Sequence, residues 1–146
     1  PLRLLDNIEN KYVFKNIPEG AIVTIYGIAE RQGKDIYETE KIKIKPYIKE
    51  MNLAYAISDL VISRAGALTL SELLVCGMPS ILLPLPTATA DHQTKNAKTI
   101  VQAGAAIMID QHNMDNNILK NTILELINDK DKLSDMFRLY KELKID

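Results

Sequence analysis

The sequence predicts an α/β fold: a Rossmann-like parallel sheet with helices on both faces. Short apolar runs alternate along the chain with longer segments whose apolar residues recur every three or four positions. The apolar run at residues 81–83, bounded by Pro79 and Pro84, is typical of a strand that is buried on both faces. Because strands that alternate with helices favour parallel pairing, we expect a single domain with about five parallel strands.

In the first part of the chain, the elements are predicted from residue composition and from the glycine and proline residues that end each run. The β-branched run at residues 21–26 ends at Gly27 and predicts a strand. Residues 42–45 alternate strictly between apolar and charged side chains and are closed by Pro46, which predicts a short strand. The remaining predictions for this part are a helix at 2–15, a turn at 18–20, a helix at 51–57 and a strand at 60–63.

In the second part, the helical repeat is clearer. Leu70, Leu73, Leu74 and Gly77 are spaced at i, i+3, i+4 and i+7, which predicts a helix that begins near Ala67 and packs on the sheet. Gly77 is placed to end this helix. The predictions that follow are a strand at 80–83, a loop at 84–90, a helix at 91–103, a strand at 105–109, and helices at 116–127 and 130–143.

Composition narrows the class of protein. The chain has 146 residues, of which 47% are hydrophobic, so it can bury a full core as one domain. A net charge of −1 gives no electrostatic case for binding nucleic acid. Cys76 is the only cysteine, so an intrachain disulfide is impossible. With no long apolar span and no signal-peptide pattern, we expect a cytoplasmic domain, and the first residue, Pro1, favours a fragment or a processed chain.

The most informative segment is residues 63–72, a strand end, a turn of small residues and a helix start. Such a turn presents free backbone N–H groups, and the helix N-terminus adds partial positive charge. Glu72 follows Thr69 by one helical turn, on the same side. A phosphate at the turn and a sugar diol at the carboxylate would fit this pattern, which predicts a nucleotide diphosphate site. The alternative is a tight strand-to-helix connection in which Gly66 serves backbone geometry and Glu72 is solvated.

A second candidate group follows the long loop at 84–90, at the same predicted edge of the sheet. His92, Gln93 and Asn96 lie within two turns of a helix start, so they can face one ligand. Amides and a neutral imidazole both donate and accept hydrogen bonds, which suits sugar hydroxyls. The alternative is an ordinary polar helix start that is capped by Thr89 or Asp91.

Two further residues, Tyr47 and Ile48, could line a flat pocket for a base, although such a pair is more often part of a core. The sequence has no Gly-x-Gly-x-x-Gly motif, no phosphate loop ending in Gly-Lys-Ser/Thr and no metal-ligand cluster. We therefore expect neither an NAD enzyme nor a nucleotide triphosphatase, and we expect no cofactor and no metal.

Four segments, in this order and at these distances, resemble the MurG family of bacterial GT-B glycosyltransferases: residues 63–72, 77–84, 91–97 and 103–106. The resemblance implies the C-terminal, donor-binding domain of a hexosyltransferase. Members transfer N-acetylglucosamine (GlcNAc) from UDP-GlcNAc to lipid I with inversion, which forms lipid II for peptidoglycan and the cell wall.

The resemblance also implies a function for each site residue. Ala67, Leu68 and Thr69 would meet the diphosphate at the helix start, and Arg64 in the preceding turn would approach it. Gly66, in the same turn, is also expected to belong to the substrate-binding site. Glu72 would hold both ribose hydroxyls. The residues implied to lie near GlcNAc are His92, Gln93 and Asn96, and those implied to lie around uracil are Tyr47 and Ile48.

The resemblance is incomplete in two ways. Neither the first strand of the family's donor domain, with its Gly-Gly-Ser-type loop, nor the acceptor domain is found in this sequence. The resemblance thus implies that the catalytic base, the lipid I contacts and the membrane contact at the inner face of the cell membrane belong to the missing parts. We expect the isolated chain to be inactive as a transferase.

Two alternatives stay open at this point. The chain could be a stand-alone UDP-sugar-binding subunit that needs a partner chain, as in the split eukaryotic transferase that begins dolichol-linked glycans. It could also be related to UDP-GlcNAc epimerases, which share the two-domain architecture. Epimerases have paired glutamates after a Ser-Gly-Gly turn, whereas here Leu73 follows Glu72.

Overall fold

The computed structural model describes residues 21–25, 50–85, 90–110 and 116–143. These residues form four strands and five helices, which run in the order β1 (Val23–Ile25), α1 (Met51–Ile57), β2 (Leu60–Ser63), α2 (Ala67–Cys76), β3 (Ser80–Leu82), α3 (Ala90–Gln102), β4 (Ala106–Met108), α4 (Asn116–Ile127) and α5 (Lys130–Leu143). The strands are all parallel and lie in one sheet in the order β1–β2–β3–β4. The predicted α/β class with a parallel sheet is confirmed.

The predicted element bounds are close to those observed. Helices α1, α4 and α5 begin and end at the predicted residues, whereas α3 begins one residue early, so Ala90 is helical rather than part of the loop. Strands β1, β3 and β4 are shorter than predicted. Single backbone bonds to the neighbouring strand still continue one residue further, from Leu83 N to Ser63 O at 2.8 Å and from Ile109 N to Leu82 O at 2.9 Å. The predictions at residues 2–15, 18–20 and 42–45 lie outside the described residues.

The two faces of the sheet have separate cores, because successive residues of a strand point to opposite faces. From β2, Leu60 and Ile62 pack on one face and Val61 packs on the other. The first face is covered by α4 and α5 through Leu119, Ile123, Leu126, Ile127 and Met136. The second is covered mainly by α2 and α3 through Leu70, Leu73, Ala97 and Ile100. Both faces are therefore covered, as a parallel sheet requires.

Helix α2 ends in the manner predicted. Gly77 adopts the left-handed conformation, with φ 69° and ψ 35°, and its N–H bonds to the carbonyl of Leu73. The N–H of Met78 reaches the same carbonyl at 3.0 Å. These bonds satisfy a carbonyl that the helix itself leaves without a partner, and they turn the chain into β3.

The carboxyl ends of β2 and β3 lie side by side, since the two strands are paired in parallel from Val61↔Ser80 to Ser63↔Leu82. The turn after β2 and the loop after β3 therefore emerge at one edge of the sheet, as predicted. Within the described stretches, no helix has both the length and the apolar character needed to cross a membrane.

Candidate functional site

The start of α2 is not capped by any side chain. Gly66 occupies the N-cap position in an extended conformation, with φ −66° and ψ 151°, and its carbonyl accepts the first helical bond from Leu70 N at 2.9 Å. The N–H groups of Gly66, Ala67, Leu68 and Thr69 precede the helical hydrogen-bond ladder, so the helix offers them no acceptor. This end of α2 is therefore suited to bind an anion.

The space around this helix start is open. Leu68 is 75% exposed, so its side chain contributes little packing that would explain its position. Among the described residues, the nearest atom to a Cβ built on Gly66 would be Gln93 Nε2, at 4.0 Å. A ligand can thus approach the backbone of the turn directly.

Glu72 lies one turn into α2 and is half-buried. Its Oε2 accepts a hydrogen bond of 2.8 Å from Tyr55 Oη on α1. Tyr55 is only 4% exposed and belongs to the same core cluster as Leu73. The structure therefore holds this carboxylate at a defined place beside the helix start, with a partner that the sequence patterns did not reveal.

A cavity of about 320 Å³ lies between α1 and α2. This volume is in the range that small ligands occupy. The cavity is lined by Met51, Asn52, Tyr55, Ser71, Glu72, Val75 and Cys76. Glu72 is thus one of the residues that line this mainly apolar groove.

Gln93 contacts both the turn after β2 and the loop after β3, at the edge of the sheet where the two strands end. Its Oε1 accepts hydrogen bonds from Ala65 N at 3.3 Å and from Leu85 N at 3.0 Å. The sequence predicted a side chain that both donates to and accepts from a sugar. The structure instead assigns its carbonyl oxygen to two backbone donors, so only the Nε2 hydrogens are suited to a ligand.

His92 and Asn96 occupy the first two turns of α3, as predicted, and both are exposed. Their spacing of four residues places them on one side of the helix, and Gln93 is three residues before Asn96. The structure thus brings the three predicted polar residues to the end of α3 that adjoins the turn before α2. Tyr47 and Ile48 lie outside the described residues.

Arg64 also ties the two loops together. Its Nη1 donates to the carbonyl oxygens of Leu83, at 3.2 Å, and Pro84, at 3.4 Å. Burial lowers the pKa of the guanidinium below its usual value, because desolvation disfavours the charged form. The observed contacts are structural, and an approach to phosphate stays a prediction.

Among the described residues, no group of three or more His, Cys, Asp or Glu side chains could hold a metal ion. The candidate site consists instead of backbone donors at the start of α2, a fixed carboxylate and a polar helix end. This donor and acceptor set matches an anionic group that carries hydroxyls on either side.

The parallel sheet covered on both faces is a Rossmann-like architecture, and a family model matches most of the chain. The model described as the glycosyltransferase family 28 C-terminal domain matches residues 8–143. The chain belongs to this family, and its fold is that of the C-terminal half of a GT-B glycosyltransferase.

Curated relatives narrow the similarity further. The chain is 46% identical over 108 residues to a protein of Chlorobaculum parvum, across 74% of this chain and 30% of that protein. It is 36% identical over 133 residues to a protein of a Shewanella species, across 91% of this chain and 36% of that protein. Both carry the name UDP-N-acetylglucosamine–N-acetylmuramyl-(pentapeptide) pyrophosphoryl-undecaprenol N-acetylglucosamine transferase.

A solved structure gives the same result. The crystal structure of Acinetobacter baumannii MurG superposes with a TM-score of 0.72 at 27% identity, covering 95% of this chain and 41% of that one. The chain spans only about a third of the length of the two curated relatives, 30% and 36%. The epimerase alternative is not favoured, because these relatives are named as transferases. The split-subunit alternative is not favoured either, because the relatives that match are longer single proteins with this one name.

Proposed function

We propose that this chain is the donor-binding domain of an inverting glycosyltransferase that moves GlcNAc from UDP-GlcNAc to lipid I and forms lipid II. The observation that carries this proposal is the uncapped start of α2 with Glu72 one turn further on. The names of the relatives, which specify this donor and this acceptor, support the choice of substrates.

The start of α2 binds the donor diphosphate in this proposal. The N–H groups of Gly66, Ala67, Leu68 and Thr69 donate to phosphate oxygens, and the helix dipole adds partial positive charge. When the bond to GlcNAc breaks, negative charge develops on the departing UDP. Donors that are already in place stabilise that charge without reorganising, so the same groups serve binding and the transition state.

The hydroxyl groups are bound on either side of the diphosphate. The Glu72 carboxylate accepts from both ribose hydroxyls, since two oxygens provide several lone pairs beyond the one used by Tyr55. On the other side, His92, Asn96 and the Nε2 group of Gln93 bind GlcNAc hydroxyls. Gln93 can do this while its Oε1 keeps the loops together.

Contacts to uracil and support for the phosphate-binding turn complete the proposed donor site. Tyr47 and Ile48 are proposed to flank uracil, with Ile48 offering backbone groups to the base. Arg64 is proposed to support the phosphate side indirectly, by fixing the carbonyls of Leu83 and Pro84 next to the turn.

The remainder of the reaction is assigned to parts of a longer protein. Because the relatives are about three times as long as the match, we propose that an acceptor domain supplies the catalytic base, the lipid I contacts and the membrane contact. That domain, together with the first strand and loop of the donor domain, would complete a cytoplasmic enzyme at the inner face of the cell membrane.

The ribose assignment is tested with Glu72→Ala in this chain, by calorimetric titration of UDP and UDP-GlcNAc. Loss of a charged acceptor for two hydroxyls should weaken both ligands by roughly 2–4 kcal/mol. The matched control is Glu125→Ala, which removes an exposed carboxylate from α4 on the far face of the sheet. Unchanged donor affinity in the folded Glu72→Ala chain would rule out the assignment.

Metal dependence provides a separate test. Since backbone donors and a helix terminus neutralise the diphosphate in this proposal, donor binding should persist when EDTA replaces divalent cations in the titration buffer. If the chelator abolishes binding and added Mg²⁺ restores it, the anion site has been assigned incorrectly.

A further inference from the structure

The buried side chain of Tyr55 contacts the candidate site through its hydroxyl group. Tyr55 lies on α1, and its ring packs in the core cluster that also contains Val61 and Leu73. Its Oη donates to Glu72 Oε2 at 2.8 Å, across 17 residues of sequence. The ring is anchored by the core, so the position of the hydroxyl is determined by packing rather than by solvent.

This anchoring affects how the carboxylate can function. A glutamate on a helix surface has several rotatable bonds, and binding a ligand normally freezes them at an entropic cost. The bond from Tyr55 limits that freedom before any ligand arrives and leaves lone pairs of both carboxylate oxygens available. Tyr55 and Glu72 also lie together along the groove between α1 and α2, which both of them line.

We infer that Tyr55 is a positioning residue of the donor site, which orients Glu72 for the vicinal diol of a ribonucleotide. The inference rests on the proposed function, because it takes Glu72 as the residue that binds ribose. According to this inference, the preference for ribose over sugars without the diol depends on Tyr55, which does not touch the ligand. In this account Tyr55 determines specificity through preorganisation.

The test measures ribose preference rather than affinity alone. UDP and 2′,3′-dideoxy-UDP are titrated into the 146-residue chain and into its Tyr55→Phe variant. The variant keeps the ring and its packing and loses only Oη. UDP should bind the variant about three- to tenfold more weakly, as expected for one hydrogen bond, and dideoxy-UDP should be unaffected.

A second buried tyrosine serves as the matched control. Tyr140 on α5 is fully buried, and its Oη is 2.6 Å from Ser80 Oγ on β3. Tyr140→Phe removes the same atom from the same core cluster without touching the Glu72 carboxylate. It should lower thermal stability and leave the ratio of the two dissociation constants at its wild-type value.

The outcomes separate the inference from the proposed function. If the unmodified chain binds both nucleotides equally, the assignment of Glu72 to ribose fails. If it prefers UDP and Tyr55→Phe retains that preference, or weakens both nucleotides equally, the positioning role is overturned.

Should Tyr55→Phe not fold, ¹³Cζ-tyrosine labelling of the unmodified chain replaces it. The Tyr55 signal is expected to move with UDP and to stay in place with dideoxy-UDP. An identical response to both nucleotides would overturn the inference.

Discussion

The two ends of α2 both carry a glycine, and the two glycines differ in every physical respect. Gly66 at the N-terminus has a negative φ of −66°, which any residue can adopt, and the space beside it is open. Gly77 at the C-terminus has a φ of +69°, and an added Cβ would lie 3.0 Å from the Phe137 ring. The backbone conformation at the first position suits any residue, whereas the conformation and the surroundings at the second favour glycine.

This difference shows how one helix divides its functions. The C-terminal end is closed, because the Leu73 carbonyl accepts hydrogen bonds from both Gly77 N and Met78 N. This end of the helix also packs against α5. The N-terminal end has no cap and carries an exposed leucine, Leu68. The N–H groups at this end are available to water or to a ligand, and the proposed function assigns them to the donor diphosphate.

The largest effect on the free energy of unfolding is expected at the closed, C-terminal end of α2. Gly77→Ala places a side chain in the left-handed region and against Phe137, and should lower the free energy of unfolding by about 2 kcal/mol. Urea unfolding measures the loss. Gly77→Asn is the control, because asparagine tolerates this backbone conformation better and should recover part of it. Reduced UDP affinity in folded Gly77→Ala would break the comparison.

At the open, N-terminal end of α2, a substitution should change UDP affinity and leave stability almost unchanged. Gly66→Ala changes stability by less than about 0.5 kcal/mol, because the loss of a favourable N-cap residue is offset by a stiffer unfolded chain. The new methyl group occupies the space above the helix start, so UDP should bind about tenfold more weakly. Calorimetric titration tests this, and unchanged affinity would show that the ligand does not approach the turn.

The smallest effect is expected at Gln93, whose Oε1 acceptor and Nε2 donor can be tested with different substitutions. Gln93→Glu keeps an oxygen for Ala65 N and Leu85 N but removes the Nε2 donor. Gln93→Ala removes both, so it should also lower stability by about 1 kcal/mol. In Gln93→Ala, UDP-GlcNAc should lose roughly threefold more affinity than UDP. Gln93→Glu is used for stability only, because its added negative charge would repel the diphosphate of both ligands. Equal losses for the two ligands would argue against a contact with the sugar.

Local patterns predicted most of the fold. The 3.6-residue repeat and Gly77 were enough to predict α2, and continuous apolar runs predicted β2 and β3, because these signals depend on neighbouring residues. The one-residue error at Ala90 arose where the helix start had no apolar repeat to mark it. The strand ends were predicted too long because pairing depends on the adjacent strand and not on the run itself.

The candidate site was predicted less completely. Gly66, Thr69 and Glu72 follow from the turn and the helical spacing, and the structure places them together. The partners of Glu72 and Gln93 do not follow, since Tyr55 and Leu85 are brought near them by the tertiary fold. One sequence signal could have located Tyr55: a tyrosine on the apolar side of a short helix needs a hydrogen-bond partner once it is buried.

The central claim is that the open end of α2 holds the donor diphosphate. Titration of the ¹⁵N-labelled chain with UDP, followed by amide chemical shifts, tests it most directly. The account predicts shift changes concentrated at residues 66–72 and 92–96, with Gly77 and Met78 at the closed end unchanged. Saturable shifts that cluster away from the start of α2, or no shifts at millimolar UDP, would contradict it.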